Sequence, residues 1–359
     1  MAKIGILTFS NTLNYGAALQ CYALFTYLRN LGNEVSVIDY RNNRVEITGK
    51  RRLKSIKSFK EFLLWIMTKK NFSIRERLFD EFNKNYLVMT EQVDKDDFDI
   101  KSAQFDAIIV GSDQVWSNVI TDGDLTYFLP FNNDTKKISY AASFGKGIPE
   151  GKQWDIVFKY LSNFHAISVR EKSAKNELES KIRIKSQVVC DPTFLLDYKS
   201  WSNIAAKGKG CEKGYVLCYI LSQRERVVSE GKKIAQQLKL PLVCIQTGSI
   251  HSTKDAVDVT CASPLDFLAL FSNADYVVTD SFHGTCFSIL FQREFYSLLG
   301  VSAGSNARIE NLLDELGLSE RYKASLFTPI DYNIVNEKKT RMIKESYSFI
   351  EKALNTINA

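Results

Sequence analysis

Histidine is scarce in this chain, with only His165, His251 and His283. Proton transfer near neutral pH therefore has few positions to occupy unless a carboxylate or lysine is retuned. Seven cysteines, at 21, 190, 211, 218, 244, 261 and 286, form no C-x-x-C pair and lie mostly inside apolar runs. That excludes a disulfide framework or zinc site and reads as reduced, buried thiols. No run approaches about 18 uninterrupted apolar residues, so no segment reads as a membrane-spanning helix. The phosphate-loop pattern G-x-x-x-x-G-K-[ST] is missing, which removes support for ATP-driven chemistry. After the first predicted strand, Asn14-Tyr15-Gly16 carries one glycine where a dinucleotide-binding turn has three. NAD and FAD are therefore excluded despite Asp39 at the end of the second strand, and neither cofactor nor metal is expected.

Hydrophobic residues make up 45% and charged residues 25%, the balance of a soluble globular protein. At 359 residues the chain exceeds most single cores and predicts two domains of similar size. The opening Met-Ala-Lys-Ile-Gly-Ile-Leu enters a strand at once, with no room for a signal peptide, so a cytoplasmic protein is expected. The net charge of +6 is unevenly spread, since Lys50 to Lys70 holds eight Lys/Arg against one Glu, with apolar residues between them. This reads either as a solvated helix face or as a basic amphipathic helix, whose peripheral contact would lie at the inner membrane face. No stacking-aromatic or recognition-helix signature accompanies the charge, so nucleic acid is not an expected partner.

The pattern of apolar runs predicts strands at Ile4 to Phe9, Val35 to Asp39, Phe105 to Val110, Ile138 to Ala142, Ala166 to Val169 and Gln187 to Cys190. A helix over Ala17 to Leu31, stopped by Gly32, makes the start a β-loop-α-β unit with a parallel sheet. A second series predicts strands at Tyr215 to Leu221, Leu242 to Gln246, Tyr276 to Thr279 and Glu294 to Leu298. Its helices are Glu225 to Leu240, Pro264 to Asn273 with Ser263 as N-cap, and Asn306 to Leu316, and a long amphipathic helix spans Lys338 to Ile357. The predicted organisation is a Rossmann-like domain over 1–200, a Gly- and Lys-rich linker over 201–214, a second Rossmann-like domain over 215–335, and a closing helix over 336–359. This α/β class, two Rossmann-like domains facing a cleft, is the arrangement of the glycosyltransferase-B architecture.

In a parallel sheet the strand-end loops collect along one edge, where ligands bind. Tyr276-Val277-Val278-Thr279 runs into Asp280-Ser281-Phe282-His283-Gly284-Thr285. A histidine there reads either as a helix cap or buried partner, or as a proton-transfer group beside the anion-attracting amides of a helix start. Asn14 and Tyr15 suit hydrogen bonding and stacking with a sugar, or else a simple turn into the helix. In Gly111-Ser112-Asp113-Gln114-Val115-Trp116, Asp113 beside an aromatic platform suits deprotonation of a sugar hydroxyl. Arg170 at a strand end suits bidentate capture of phosphate or carboxylate, with an ion pair to Glu171 or another acid as the ordinary alternative. Gly300-Val301-Ser302-Ala303-Gly304 matches G-x-S-x-G, but all three histidines precede Ser302, the wrong order for that hydrolase fold. Asp122-Gly123-Asp124 resembles a metal- and nucleotide-sugar-binding D-x-D, a pattern short enough to arise by chance.

Taken with Tyr140-Ala141-Ala142-Ser143-Phe144-Gly145, Ser168-Val169-Arg170-Glu171 and Asp191-Pro192-Thr193, these motifs resemble the polysaccharide pyruvyl transferase family from the first strand to about Leu318. The resemblance implies phosphoenolpyruvate as donor, a free or lipid-linked glycan as acceptor, and a ketal-linked pyruvate. It places His283 in catalysis at the donor, with Arg170, Phe282, Ser281, Gly284, Ser143 and Arg308 around it. The chemistry of the loops makes Asp113 the candidate base for the acceptor, with Asn14, Tyr15, Gly16, Gln114 and Trp116 on the acceptor side. Two other classes stay open: a nucleotide-sugar glycosyltransferase using the same kind of cleft, and a non-catalytic glycan-binding protein with no use for His283 and Arg170.

Overall fold

The computed structural model describes residues 1–42, 44–45, 58–145, 147–246, 252–300, 303–325, 327–355 and 357, the side chains of 59–64 and 303–305 aside. The chain divides into two compact units. The first comprises 1–49, 83–195 and 340–359, the second 50–82 and 196–339.

The first unit is built on seven strands: β1 (Lys3–Leu7), β2 (Glu34–Tyr40), β3 (Met89–Val93), β4 (Ala107–Val110), β5 (Lys136–Ala142), β6 (Ala166–Val169) and β7 (Gln187–Val188). Their order in the sheet is β3-β2-β1-β4-β5-β6-β7, and every pairing is parallel. Ala107-Ile108-Ile109-Val110 is buried throughout, as expected of a strand covered by helices on both faces. The second unit repeats the plan with β8 (Val216–Ile220), β9 (Leu242–Gln246), β10 (Val257–Val259), β11 (Tyr276–Thr279) and β12 (Glu294–Ser297), ordered β10-β9-β8-β11-β12 and again all parallel. In each sheet the chain builds outward on one side of its first strand and then crosses to the other. The order therefore reverses between β1 and β4 and between β8 and β11, the positions where parallel sheets open a crevice for ligands.

The predicted strands and helices are all present, several with shifted ends, and two edge strands were not anticipated. Met89-Thr90-Glu91-Gln92-Val93 and Val257-Asp258-Val259 are polar because an edge strand packs against a single neighbour. The linker expected over 201–214 is corrected. It begins inside the helix Tyr198–Ala205, where buried Trp201 meets Phe287 edge to face at 5.1 Å, and Lys209 N donates to Asp266 Oδ1 at 2.6 Å. The Gly/Lys run is thus docked on the start of the helix Pro264–Asn273, and the passage between units in this part of the chain falls at Leu195 and Leu196, one of four. The last helix starts at Tyr332 rather than Lys338, and its residues from Thr340 onward belong to the first unit. Of the basic stretch, residues 50–57 lie outside the described residues, and the helix Phe59–Tyr86 follows. Among the described residues no disulfide forms, and burial pushes the Cys21 thiol up to about 12.

The helix Pro264–Asn273 shows how local sequence sets a boundary. Ser263 Oγ accepts from Asp266 N at 3.1 Å, Asp266 Oδ2 accepts from Ser263 N at 2.9 Å, and proline holds the first helical position. Ser263→Ala is expected to cost about 1 kcal/mol of stability, read as a lower urea midpoint with an unchanged slope.

Candidate active site

The crossing between β1 and β4 is laced by one side chain. Gln20 Nε2 donates to Thr8 Oγ1 at 3.0 Å, Ser112 N donates to Gln20 Oε1 at 3.2 Å, and Thr8 Oγ1 donates to the Ser112 carbonyl at 3.0 Å. Asn14 caps the helix Tyr15–Asn30 by accepting from Ala17 N, which brings Gln20 round onto the strand ends one turn later. Gly111 sits at φ 105°, and a Cβ there would lie 2.5 Å from the Tyr140 carbonyl oxygen. The chain can turn toward Asp113 at that point only with glycine.

Beyond this turn lies a buried charge cluster. Arg170 Nη1 donates to Asp191 Oδ2 at 3.0 Å, while Nη2 is 3.7 Å from Asp113 Oδ1 and Nε is 3.8 Å from Glu171 Oε1. Burial pulls the guanidinium pKa down, but Glu171, Asp191 and Asp113 outweigh it and hold Arg170 above the ordinary arginine range. Asp191 is fixed in turn by Thr193, whose N and Oγ1 both donate to Oδ1 at 3.1 and 2.9 Å. Ser143 Oγ donates to Glu171 Oε1 and accepts from Gly145 N at 3.0 Å. Asp113 stands at φ 75° with Oδ1 accepting from Gln114 N at 2.8 Å, and it is the most exposed of the three acids, at 10% of its side-chain surface.

Arg170, placed around the donor by the resemblance, takes up the ion-pair alternative that its sequence position left open, enclosed by three carboxylates of its own unit. Ser143, also placed around the donor, instead orients Glu171. Trp116 is no platform: it is 2% exposed, stacks on Phe128 at 5.6 Å, and donates through Nε1 to the Tyr127 carbonyl at 3.0 Å. Tyr15 and Gly16 are likewise buried in the helix start, leaving Asn14 exposed and Gln114 half-buried. Asp124 of the D-x-D stretch accepts from Tyr40 Oη at 2.6 Å and Asn42 Nδ2 at 2.8 Å, a structural role.

The second unit closes its own crossing with Asp280. Its Oδ1 accepts from Leu221 N at 2.7 Å, and its Oδ2 accepts from Ser222 N at 2.7 Å, Ser222 Oγ at 2.9 Å and Gln223 N at 2.6 Å. This carboxylate binds the loop after β8 to the turn after β11. Asp280 and Asp191 were read only as motif letters, though an acid directly after a strand end is the available signal that a loop is held there.

The helix Phe282–Leu290 then starts with Ser281 as N-cap, its Oγ accepting from Gly284 N at 3.3 Å. Gly284 lies where a Cβ would come within 2.5 Å of Thr279 Oγ1, so the helix start seats directly on β11. His283 is buried to 7% exposure with its ring edge to face with Phe282 at 5.3 Å, and the Arg308 guanidinium lies 5.6 Å from the Phe282 ring centroid. An imidazole, a guanidinium and the positive end of a helix are thus grouped at one strand end, electrostatics that favour an anion. His251 and Ser302 lie outside the described residues.

Asp191→Ala would leave Arg170 without its closest partner, and a loss of about 3–5 kcal/mol in urea unfolding is expected. Gly284→Ala forces the helix off the strand end and is expected to cost about 1–3 kcal/mol, read as a lower melting temperature.

Comparison with solved structures gives the fold. Arabidopsis thaliana UGT89C1, complexed with UDP-L-rhamnose, is 10% identical over 99% of both chains with a TM-score of 0.51. Neisseria meningitidis UDP-GlcNAc 2-epimerase, bound to UDP-GlcNAc, is 11% identical over 98% of this chain and 94% of its own, with a TM-score of 0.48. The likeness to UGT89C1 supports two parallel-sheet α/β units of the glycosyltransferase-B kind. No curated protein sequence matches the chain at a significant level. The family model for polysaccharide pyruvyl transferase matches residues 14–299, most of the chain, and includes the motif loops from Asn14 to Thr285; the first strand, Gly300–Gly304 and Arg308 lie outside that range. The chain belongs to the polysaccharide pyruvyl transferase family, and is a transferase.

Proposed function

We propose that this transferase moves pyruvate from phosphoenolpyruvate onto two hydroxyls of one glycan residue as a ketal, releasing phosphate. The observation that supports this most is the start of the helix Phe282–Leu290, where His283 and Arg308 flank Phe282. Phosphoenolpyruvate carries a phosphate and a carboxylate, so its binding calls for cationic groups and oriented amides. With Arg170 enclosed by acids in the first unit, Arg308 is the arginine that this reading assigns to the donor.

His283 delivers a proton to the methylene carbon, which becomes the methyl group, and C2 takes on oxocarbenium character. One hydroxyl oxygen bonds to C2 and gives up its proton, returning the imidazole to its charged form. The bond from C2 to the phosphate oxygen then breaks, and the second hydroxyl adds to C2. Its proton leaves with the phosphate. Ser281, Phe282 and Gly284 set the helix start that holds the donor, and Asn14 and Gln114 are the acceptor-side residues that keep surface exposure.

Phosphoenolpyruvate is expected to raise the melting temperature, by the equivalent of about 2.7 kcal/mol at a hundredfold excess over Kd. His283→Gln should keep that shift while phosphate release falls at least about 100-fold, and Arg308→Ala should weaken the shift about tenfold or more in concentration. Stabilisation by UDP-sugars with none by phosphoenolpyruvate would overturn the assignment in favour of glycosyl transfer.

A further inference from the structure

The helix Phe59–Tyr86, in the second unit over most of its length, has two faces of different character. Thr68, Arg75, Phe79 and Phe82 are buried and recur at spacings of one helical face. Ile66 and Met67 point away from that face and are 49% and 63% exposed. Lys70 follows them at four and three residues, so its ammonium shares their side of the helix. Lys69 is exposed as well, with Nζ 5.1 Å from the ring centroid of the half-buried Trp65.

A single exposed apolar residue needs no explanation, but two adjacent ones beside a tryptophan and two lysines do. The sequence immediately before this turn adds Lys50, Arg51, Arg52, Lys54, Lys57 and Lys60 against Glu61 alone. Residues 50–57 enter here through their charge only. Among the described residues no helix is long and apolar enough to cross a membrane, so the segment has surface chemistry rather than spanning chemistry. Apolar tips beneath ammonium groups, with an aromatic ring at their boundary, match the layering of a bilayer surface. Nucleic acid would leave the apolar tips without a partner.

We propose that the turn Trp65–Lys70 is a docking surface for an anionic lipid bilayer, with Ile66 and Met67 entering the acyl boundary and Lys69 and Lys70 held at the headgroups. This is independent of the donor chemistry proposed above. The full chain is sedimented with phosphatidylcholine vesicles containing phosphatidylglycerol at roughly two to one, and with pure phosphatidylcholine vesicles, at low and high salt. Binding to the mixed vesicles alone, weakened by salt, is expected. Lys69→Gln with Lys70→Gln should lower the affinity about thirty-fold, the effect of two neutralised charges near an anionic surface. Ile66→Ser with Met67→Ser should weaken binding while leaving the melting temperature unchanged, since both side chains are exposed. Trp116, Trp154 and Trp201 are buried, so a blue shift of emission on binding reports Trp65. Equal binding to neutral vesicles, no binding to anionic ones, or unchanged binding in both double variants would overturn the proposal.

Discussion

A parallel sheet delivers every strand to the same edge, and both units of this transferase are built from parallel pairings alone. Hairpins are impossible under that constraint, so each return needs a crossover segment, and all polar strand-end loops collect together. Within the first unit, the family's motif residues therefore occupy loops at one sheet edge although they are spread from Asn14 to Thr193, and in the second unit Asp280 to Thr285 lie at the corresponding edge of its own sheet. Each sheet also reverses its order beside its first strand, and at each reversal a polar side chain ties the two loops: Gln20 with Thr8 in the first unit, Asp280 in the second.

The Arg170 cluster shows what burial does to a charge. Taking a guanidinium out of water costs several kcal/mol, which close carboxylates can offset only with good geometry. Here three acids surround it, and two of them are positioned by hydroxyls, Thr193 on Asp191 and Ser143 on Glu171. The arrangement fixes the ends of β4, β5, β6 and β7 relative to one another. It also leaves Asp113 at the surface of the cluster, in a backbone conformation with positive φ.

Much of the fold was legible in the sequence because buried strands are written in β-branched and apolar residues. Ala166–Val169, Leu242–Gln246 and Tyr276–Thr279 were read to the residue. Met89–Val93 and Val257–Val259 were not, since these two edge strands hold polar residues in place of an apolar run. The motif loops were legible as positions, but the side chains within them only in part. An arginine at a strand end has the same appearance in sequence whether it faces ligand or distant acids, because the partners at 113 and 191 follow other strands. Trp116 misled for a related reason: a tryptophan in a polar loop reads as exposed, whereas Phe128 and the Tyr127 carbonyl draw it inward. Ser263 with Asp266 was half legible, the cap being local and the reciprocal bond following from its spacing.

The Asp280 clamp makes the loop after β8 and the turn that carries His283 a single mechanical piece. A loop of this kind has little freedom to drift independently as sequences diverge. Substitutions at 221–223 would propagate to the imidazole through one carboxylate, so their effects on turnover should combine non-additively with changes at Phe282 or Gly284.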